Sequence, residues 1–283
     1  MGENSAIEWT THTFSPWVGC TKISPGCDHC YAEGWAKRAG HPELWAGTRR
    51  RTTPANWRQP LKWNAEAERT GTRPRVFCSS LADVFDNQVP TQWALDLWSL
   101  IAETPRLTWL LLTKRIGNVS ERAPWPDNVW LGITVVNQDE AARDILKLLA
   151  VPARVRFLSC EPLLGQIDLT RLTARFERGT LYNLNCLRSD YGRGAGPEHP
   201  TVDWVIVGGE SGPRARPFVL GWGKEIVRQC REAGVACFVK QVGARPVNRE
   251  GERCPHIRDP KGKVVEEWPE ELRVREFPAA TPV

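Results

Sequence analysis

The chain of 283 residues carries 38 Lys and Arg against 33 Asp and Glu, a formal net charge of +5, with 41% hydrophobic and 25% charged residues. Those proportions exclude a disordered or low-complexity chain and fit one large α/β domain or two small ones. No apolar run approaches the roughly 20 residues of a membrane-spanning helix. The first residues lack both a secretory signal and the Ser/Thr of a myristoylation signal, so the expectation is a cytoplasmic protein with reduced thiols and no membrane partner.

In chain order, Thr13-Phe-Ser-Pro-Trp-Val-Gly19 reads as a short strand that delivers the chain to a cysteine-rich loop. Residues 30–40 read as the first helix. Residues 41–74 read as a long polar connection in which Arg49-Arg50-Arg51 and Arg58 alternate with Trp45, Trp57 and Trp63. Such alternation suits a single-stranded nucleic-acid groove, and equally a solvated loop. The net positive charge permits a polyanionic partner without demanding one.

A rhythm then begins. Strands are predicted at Arg75–Ser79, Thr108–Thr113, Asn128–Val136, Val155–Ser159, Val202–Gly208 and Ala236–Gln241. Helices are predicted at Thr91–Glu103, from Asn137 to Leu149, and over 222–233. Asn137 and Glu140 stand at the spacing of a capping box. Residues 171–200, rich in Gly and Pro, break the rhythm and read as a surface insertion within a domain spanning 1–244. Residues 245–283 read as a polar C-terminal extension.

Repeated strand–helix alternation predicts a parallel α/β sheet, here a partial (βα) TIM-type barrel, with a flavodoxin-like sheet as the alternative. Polar groups recur at the strand ends: Ser79, Ser80 and Asp83; Thr113 and Lys114; Thr134 and Asn137; Glu161; Gly208, Gly209, Glu210 and Ser211; Lys240 and Gln241. Polar residues at every strand end predict a site facing one way. Cys160 also ends a strand, as a small core residue or as a participant in the chemistry.

The stretch Cys20-Thr-Lys-Ile-Ser-Pro-Gly-Cys27-Asp-His-Cys30 packs three thiols into eleven residues. Pro25-Gly26 turns Cys20 back toward the Cys27/Cys30 pair. A structural zinc site wants four protein ligands, which His29 or His12 would have to complete. Three thiolates alone match a cubane iron–sulfur cluster with one iron left open. In that respect the motif resembles the one in radical S-adenosylmethionine (SAM) enzymes, although the first gap is longer than usual there. The aromatic His29 before the last cysteine matches their pattern.

Taken together, several segments resemble the bacteriophage Gp37/Gp68-type (DUF5131) family, a radical-SAM-like group of iron–sulfur proteins. They are Cys20 through Glu33, Ser80–Asp86, Leu112–Arg115, Leu131–Thr134, Ser159–Gly165, Gly208–Gly212 and Lys240–Gly243. The resemblance implies a radical-SAM-like partial barrel holding a [4Fe–4S] cluster on Cys20, Cys27 and Cys30, with SAM bound beside it. It further implies a 5′-deoxyadenosyl radical that removes hydrogen from a substrate, and an electron donor such as flavodoxin or ferredoxin. His29, Ser80, Asp83, Thr134, Asn137, Gly208, Gly209, Glu210 and Ser211 are the candidates for holding SAM. Glu161, Lys114 and Lys240 are the candidates for substrate contact and catalysis. The substrate class suggested by charge and loop tryptophans is a nucleotide or nucleic acid, as in spore photoproduct lyase. The alternative reading is a zinc-stabilised nucleic-acid-binding module without catalysis.

Overall fold

The computed structural model describes residues 2–120, 125–175, 181–189 and 199–279. The strands are β1 (His12–Thr13), β2 (Trp17–Val18), β3 (Arg50–Arg51), β4 (Arg75–Cys78), β5 (Thr108–Thr113), β6 (Val129–Thr134), β7 (Val155–Cys160), β8 (Leu172–Arg175), β9 (Leu181–Leu184), β10 (Trp204–Gly208), β11 (Phe218–Val219), β12 (Ala236–Gln241) and β13 (Pro246–Val247). The helices are α1 (Tyr31–Arg38), α2 (Pro54–Trp57), α3 (Gln59–Thr70), α4 (Thr91–Ala102), α5 (Gln138–Ala150) and α6 (Leu220–Ala233). The fold is α/β, and its main sheet has seven strands in the order β1-β4-β5-β6-β7-β10-β12. The chain divides into two compact units, Met1–Gly132 with Val151–Arg154, and Ile133–Ala150 with Val155–Val283.

In the first unit β4 lies between β1 and β5, parallel to both. The central strands are almost continuously apolar because both faces are covered. Val76, Trp109 and Leu110 are completely buried, and α4 adds Leu97, Leu100 and Ile101 to the core. Strands β2 and β3 pair antiparallel, Trp17 against Arg51 and Val18 against Arg50. Residues 41–74 are not the expected polar connection. They hold β3, α2 and α3, and α3 presents Pro60, Trp63 and Ala67 to the interior at helical spacing.

In the second unit β10 lies between β7 and β12, again parallel to both, with a bulge at Val207/Gly208. Helix α6 buries Ile226, Val227 and Cys230. Helix α5 is capped by Asn137 as expected, its Oδ1 accepting from the Glu140 backbone N–H at 2.9 Å, but Glu140 Oε2 accepts from the N–H of Val136 at 3.0 Å, one residue before the cap, and so does not close the reciprocal capping box. Strands β8 and β9 form an antiparallel hairpin inside the region read as an insertion; residues 176–180 and 190–198 of that region lie outside the described residues. The C-terminal residues do not run free of the sheet. Val239 donates to the Val274 carbonyl, β13 pairs with β11, and Trp268 and Leu272 are buried.

Candidate functional site

The cysteine loop is held by its backbone before any side chain is counted. Gly19 has φ +110, and a Cβ there would stand 2.3 Å from the Thr48 carbonyl oxygen, so only glycine lets the chain turn this close to its neighbour. Immediately after it, the Cys20 N–H donates to the Leu44 carbonyl at 2.9 Å. The Pro25-Gly26 turn forms as a 3-10 turn, Pro25–Cys27, whose first N–H is capped when Gly26 donates to Ser24 Oγ at 3.0 Å. Cys30 is the N-cap residue of α1: its carbonyl accepts from the Gly34 N–H at 3.4 Å, while its side chain makes no capping hydrogen bond. Lys22 bridges to Glu33 at 2.6 Å and ties the loop to that helix. Cys27 is buried, Cys20 and Cys30 are half-buried, and all three are free thiols. Tyr31 extends the anchorage: its OH donates to the Ser80 carbonyl at 2.7 Å.

A buried network of charges backs the loop. Arg115, just past the end of β5, donates through Nη2 to the Thr21 carbonyl at 2.8 Å and through Nη1 to Cys20 Sγ at 3.6 Å. The same Nη1 reaches Asp83 Oδ2 at 3.3 Å, and Nε lies 3.9 Å from Asp86 Oδ1. Asp83 also accepts from Thr113 Oγ1 at 2.6 Å, from the Phe85 N–H at 3.0 Å and from the Lys114 N–H at 3.0 Å. Asp86 pairs with Arg49 at 2.6 Å, both side chains being nearly sealed from water (1% and 3% exposed). Arg49 in turn donates to Thr21 Oγ1 at 2.8 Å. Burial pushes the Cys20 thiol above its ordinary value; the Arg115 guanidinium pulls against that rise, and the Asp83 and Asp86 carboxylates add to it.

This network reassigns part of the basic, tryptophan-rich stretch. Arg49 is committed to Asp86. Arg51 pairs with Asp96 at 2.5 Å and lies over the Trp57 ring, 4.3 Å from its centre. Trp63 is buried and stacked on His12, ring centres 4.4 Å apart. Arg50 and Arg58 remain exposed.

In the second unit the strand ends of β7, β10 and β12 bring Glu161, Gly208 and Lys240 together. Glu161 Oε2 accepts from Lys240 Nζ at 2.9 Å, and a Cβ on Gly208 would stand 3.2 Å from Glu161 Cγ and Cδ. Glu210 is spent on Arg216, which donates from its backbone N–H at 2.7 Å and from Nη2 at 2.6 Å. A Cβ on Gly209 would stand 2.7 Å from the Val242 carbonyl oxygen, and the Gln241 amide donates to the Gly209 carbonyl at 2.8 Å. Thr134 is buried and Asn137 is occupied as the helix cap. Ser211 is exposed, as is His29 in the first unit. Cys160 is completely buried, and burial drives its thiol well above the ordinary range, which places it in the core.

Of the expected site residues, the first unit therefore joins Cys20 to Asp83 through Arg115 and the Lys114 backbone to Asp83 directly, while Tyr31, next to Cys30, reaches the Ser80 carbonyl. The second joins Glu161, Gly208 and Lys240. Arg115, Asp86 and Thr21 carry no role in the sequence reading although each lies inside a segment it singles out, and Arg49, read there as part of a basic groove, is instead committed to Asp86.

A family model described as a protein of unknown function, DUF5131, matches residues 4–269. The chain belongs to that family. No curated protein and no solved structure matches it. Membership spans both the cysteine loop and the Glu161–Lys240 pair. Among the described residues of this DUF5131 protein, no helix is long and apolar enough to cross a membrane.

The residues fit an iron–sulfur cluster in the kind and number of donors: three free thiols on one loop, one at a helix N-terminus and one beside a guanidinium. That fit is one of chemistry, since among the described residues no three His, Cys, Asp or Glu side chains converge on a single metal position.

Proposed function

We propose that this DUF5131 protein is a radical SAM enzyme built on a partial (βα) barrel of the radical SAM type. The observation that carries the reading is the cysteine loop itself: three free thiols, Cys20, Cys27 and Cys30, backed by an N–H donor from Arg115 at 3.6 Å from Cys20 Sγ. When bound, a [4Fe–4S] cluster with one open iron would supply the electron that cleaves SAM to a 5′-deoxyadenosyl radical.

The chain's own residues then have distinct tasks. Cys20, Cys27 and Cys30 hold the cluster. Arg115 holds the loop in place through the Thr21 carbonyl and donates toward the Cys20 sulfur, an interaction of the kind that tunes such centres. Asp83 keeps Arg115 aimed, because its remaining acceptor positions are filled by Thr113 and by backbone N–H groups. Its part in holding SAM is therefore indirect. Glu161 and Lys240 face a ligand at the ends of β7 and β12.

The substrate we propose is a nucleotide or nucleic acid, supported by the net charge of +5 and by exposed Arg50 and Arg58. The tryptophans Trp57 and Trp63 give it no support, being engaged within the fold. A reduced flavodoxin or ferredoxin would serve as the electron donor. The test is incubation of the anaerobically reconstituted, dithionite-reduced protein with SAM. The reading expects slow formation of 5′-deoxyadenosine. An intact, reducible cluster that yields none overturns it.

A further inference from the structure

Arginines gather at the end of the first unit's strands away from the cysteine loop. Arg73 lies two residues before β4 and Arg106 two residues before β5, and the parallel register, Arg75 opposite Thr108, sets them side by side. The two loops are tied together: the Thr108 N–H donates to the Pro74 carbonyl at 2.9 Å, and Arg73 Nη2 donates to the Pro105 carbonyl at 3.1 Å. Asn64 Oδ1 accepts from the Arg106 N–H at 2.8 Å and anchors the second loop to α3. Arg154 stands close enough to act on the Arg73 charge, and its segment, Val151–Arg154, belongs to the same unit. Arg73 and Arg106 are exposed and Arg154 is half-buried.

The positive charge here is poorly offset. Among the described residues Arg73 has no ion pair, and Arg106 meets Glu68 at 3.5 Å across side chains 57% and 63% exposed, a contact that contributes little. Burial lowers the Arg73 pKa and the charges of Arg154 and Arg106 lower it further, with the Asp127 carboxylate pulling the other way. Guanidiniums held this close repel one another, so the cluster calls for an anion.

We infer that Arg73, Arg106 and Arg154 form a contact surface for the phosphate backbone of a nucleic acid. The planar guanidinium fork matches a phosphate in paired N–H···O bonds, and successive phosphates along a strand repeat the match. An acidic protein would need apolar surface at the centre of its interface, whereas these loops expose Gly71, Thr72 and Pro105 and no large apolar side chain. Arg106 and Thr113 are seven residues apart along the β5 strand. At roughly 3.3 Å per residue, this end lies on the order of 20 Å from the cysteine end. A polynucleotide spans that distance and a free nucleotide does not. Contact here therefore narrows the proposed substrate to a polymer. Only that consequence rests on the proposed function, since the binding itself needs neither cluster nor SAM.

Fluorescence anisotropy of a labelled oligonucleotide, single-stranded and duplex, titrated with the reconstituted full chain at two ionic strengths tests the surface. Arg73→Ala and Arg106→Ala should each weaken binding severalfold at low salt and flatten the salt dependence by about one unit, and the triple variant with Arg154→Ala by up to about three. Arg228→Ala, which removes the same charge from α6, should match the wild type. The two exposed positions carry the test if Arg154→Ala lowers the melting temperature. Formation of 5′-deoxyadenosine from SAM alone should be unchanged in all of these variants. If the wild type forms none and the arginine variants still lose oligonucleotide binding, the surface stands and the radical SAM reading falls. Wild-type affinity and salt dependence in both exposed variants overturn the surface and leave that reading intact, as does a wild type that binds neither oligonucleotide at low salt. Displacement of the strand by poly-L-glutamate as readily as by unlabelled oligonucleotide also overturns it, and marks an acidic protein as the partner.

Discussion

Arg115 Nη1 stands 3.6 Å from Cys20 Sγ while Nη2 of the same guanidinium donates to the Thr21 carbonyl at 2.8 Å. One side chain from the end of β5 thus grips both the backbone and the sulfur of the cysteine loop. Two buried carboxylates, Asp83 and Asp86, hold it there. Removing the guanidinium leaves those carboxylates without it, so Arg115→Met should cost about 3–5 kcal/mol in urea unfolding. Arg115→Lys keeps the charge but loses the fork, and should recover only part of the stability. A variant as stable as the wild type would show that the network is not what fixes the loop.

Arg49 gives a second prediction. Its pairing with Asp86 is sealed from water, so Arg49→Ala should also cost about 3–5 kcal/mol, whereas Arg50→Ala on the surface should stay within about 0.5 kcal/mol. Chemical denaturation of the two variants measures the contrast.

The tryptophan-rich stretch makes a related claim about binding. Arg51 and Trp57 are engaged with Asp96 and with each other. Titration of a labelled oligonucleotide at two ionic strengths should therefore give Arg51→Ala the same salt slope as the wild type. A slope flattened by about one unit would mean that Arg51 contacts phosphate after all.

His12 makes the fold sensitive to acid. Burial lowers its pKa, with the Glu3 carboxylate pulling the other way, and its ring is stacked on Trp63. The unfolded chain, with His near about 6.5, then binds the proton more readily than the folded one. Stability therefore rises with pH through the interval between the folded and unfolded values, and is lost as pH falls below about 6.5. His12→Gln should flatten the melting temperature over that interval relative to the wild type. A wild-type profile already flat there would contradict this assignment.

Much of the fold was legible because its strands are buried on both faces. Thr108–Thr113 and Ala236–Gln241 were bounded correctly from short apolar runs ending in polar residues. The capping of α5 could be read from Asn137 alone. Helix α3 was missed because only three of its residues, Pro60, Trp63 and Ala67, face inward, and the charges around them drew the eye to nucleic acid. The two-residue strands β1, β2 and β3 are too short to show a period. In the site, the cysteine loop was legible from spacing. Its support by Arg115 and Asp86 was not, since ion pairs between residues so far apart in the chain leave no local pattern. Nor did the sequence show that Asp83 and Glu210 are taken up by protein partners, which depends on where Arg115 and Arg216 fold.

Cys20, Cys27 and Cys30 are the proposed ligands of the iron–sulfur cluster. The most direct test is to count iron, acid-labile sulfide and zinc per chain after anaerobic reconstitution, for the wild type and for single Cys→Ala variants. The wild-type chain should hold about four irons and four sulfides. That content should be lost in the Cys20, Cys27 and Cys30 variants and retained in those of Cys78, Cys160, Cys186, Cys230, Cys237 and Cys254. A colourless wild type with one zinc per chain, or a Cys20→Ala variant with a full complement of iron, would contradict that assignment.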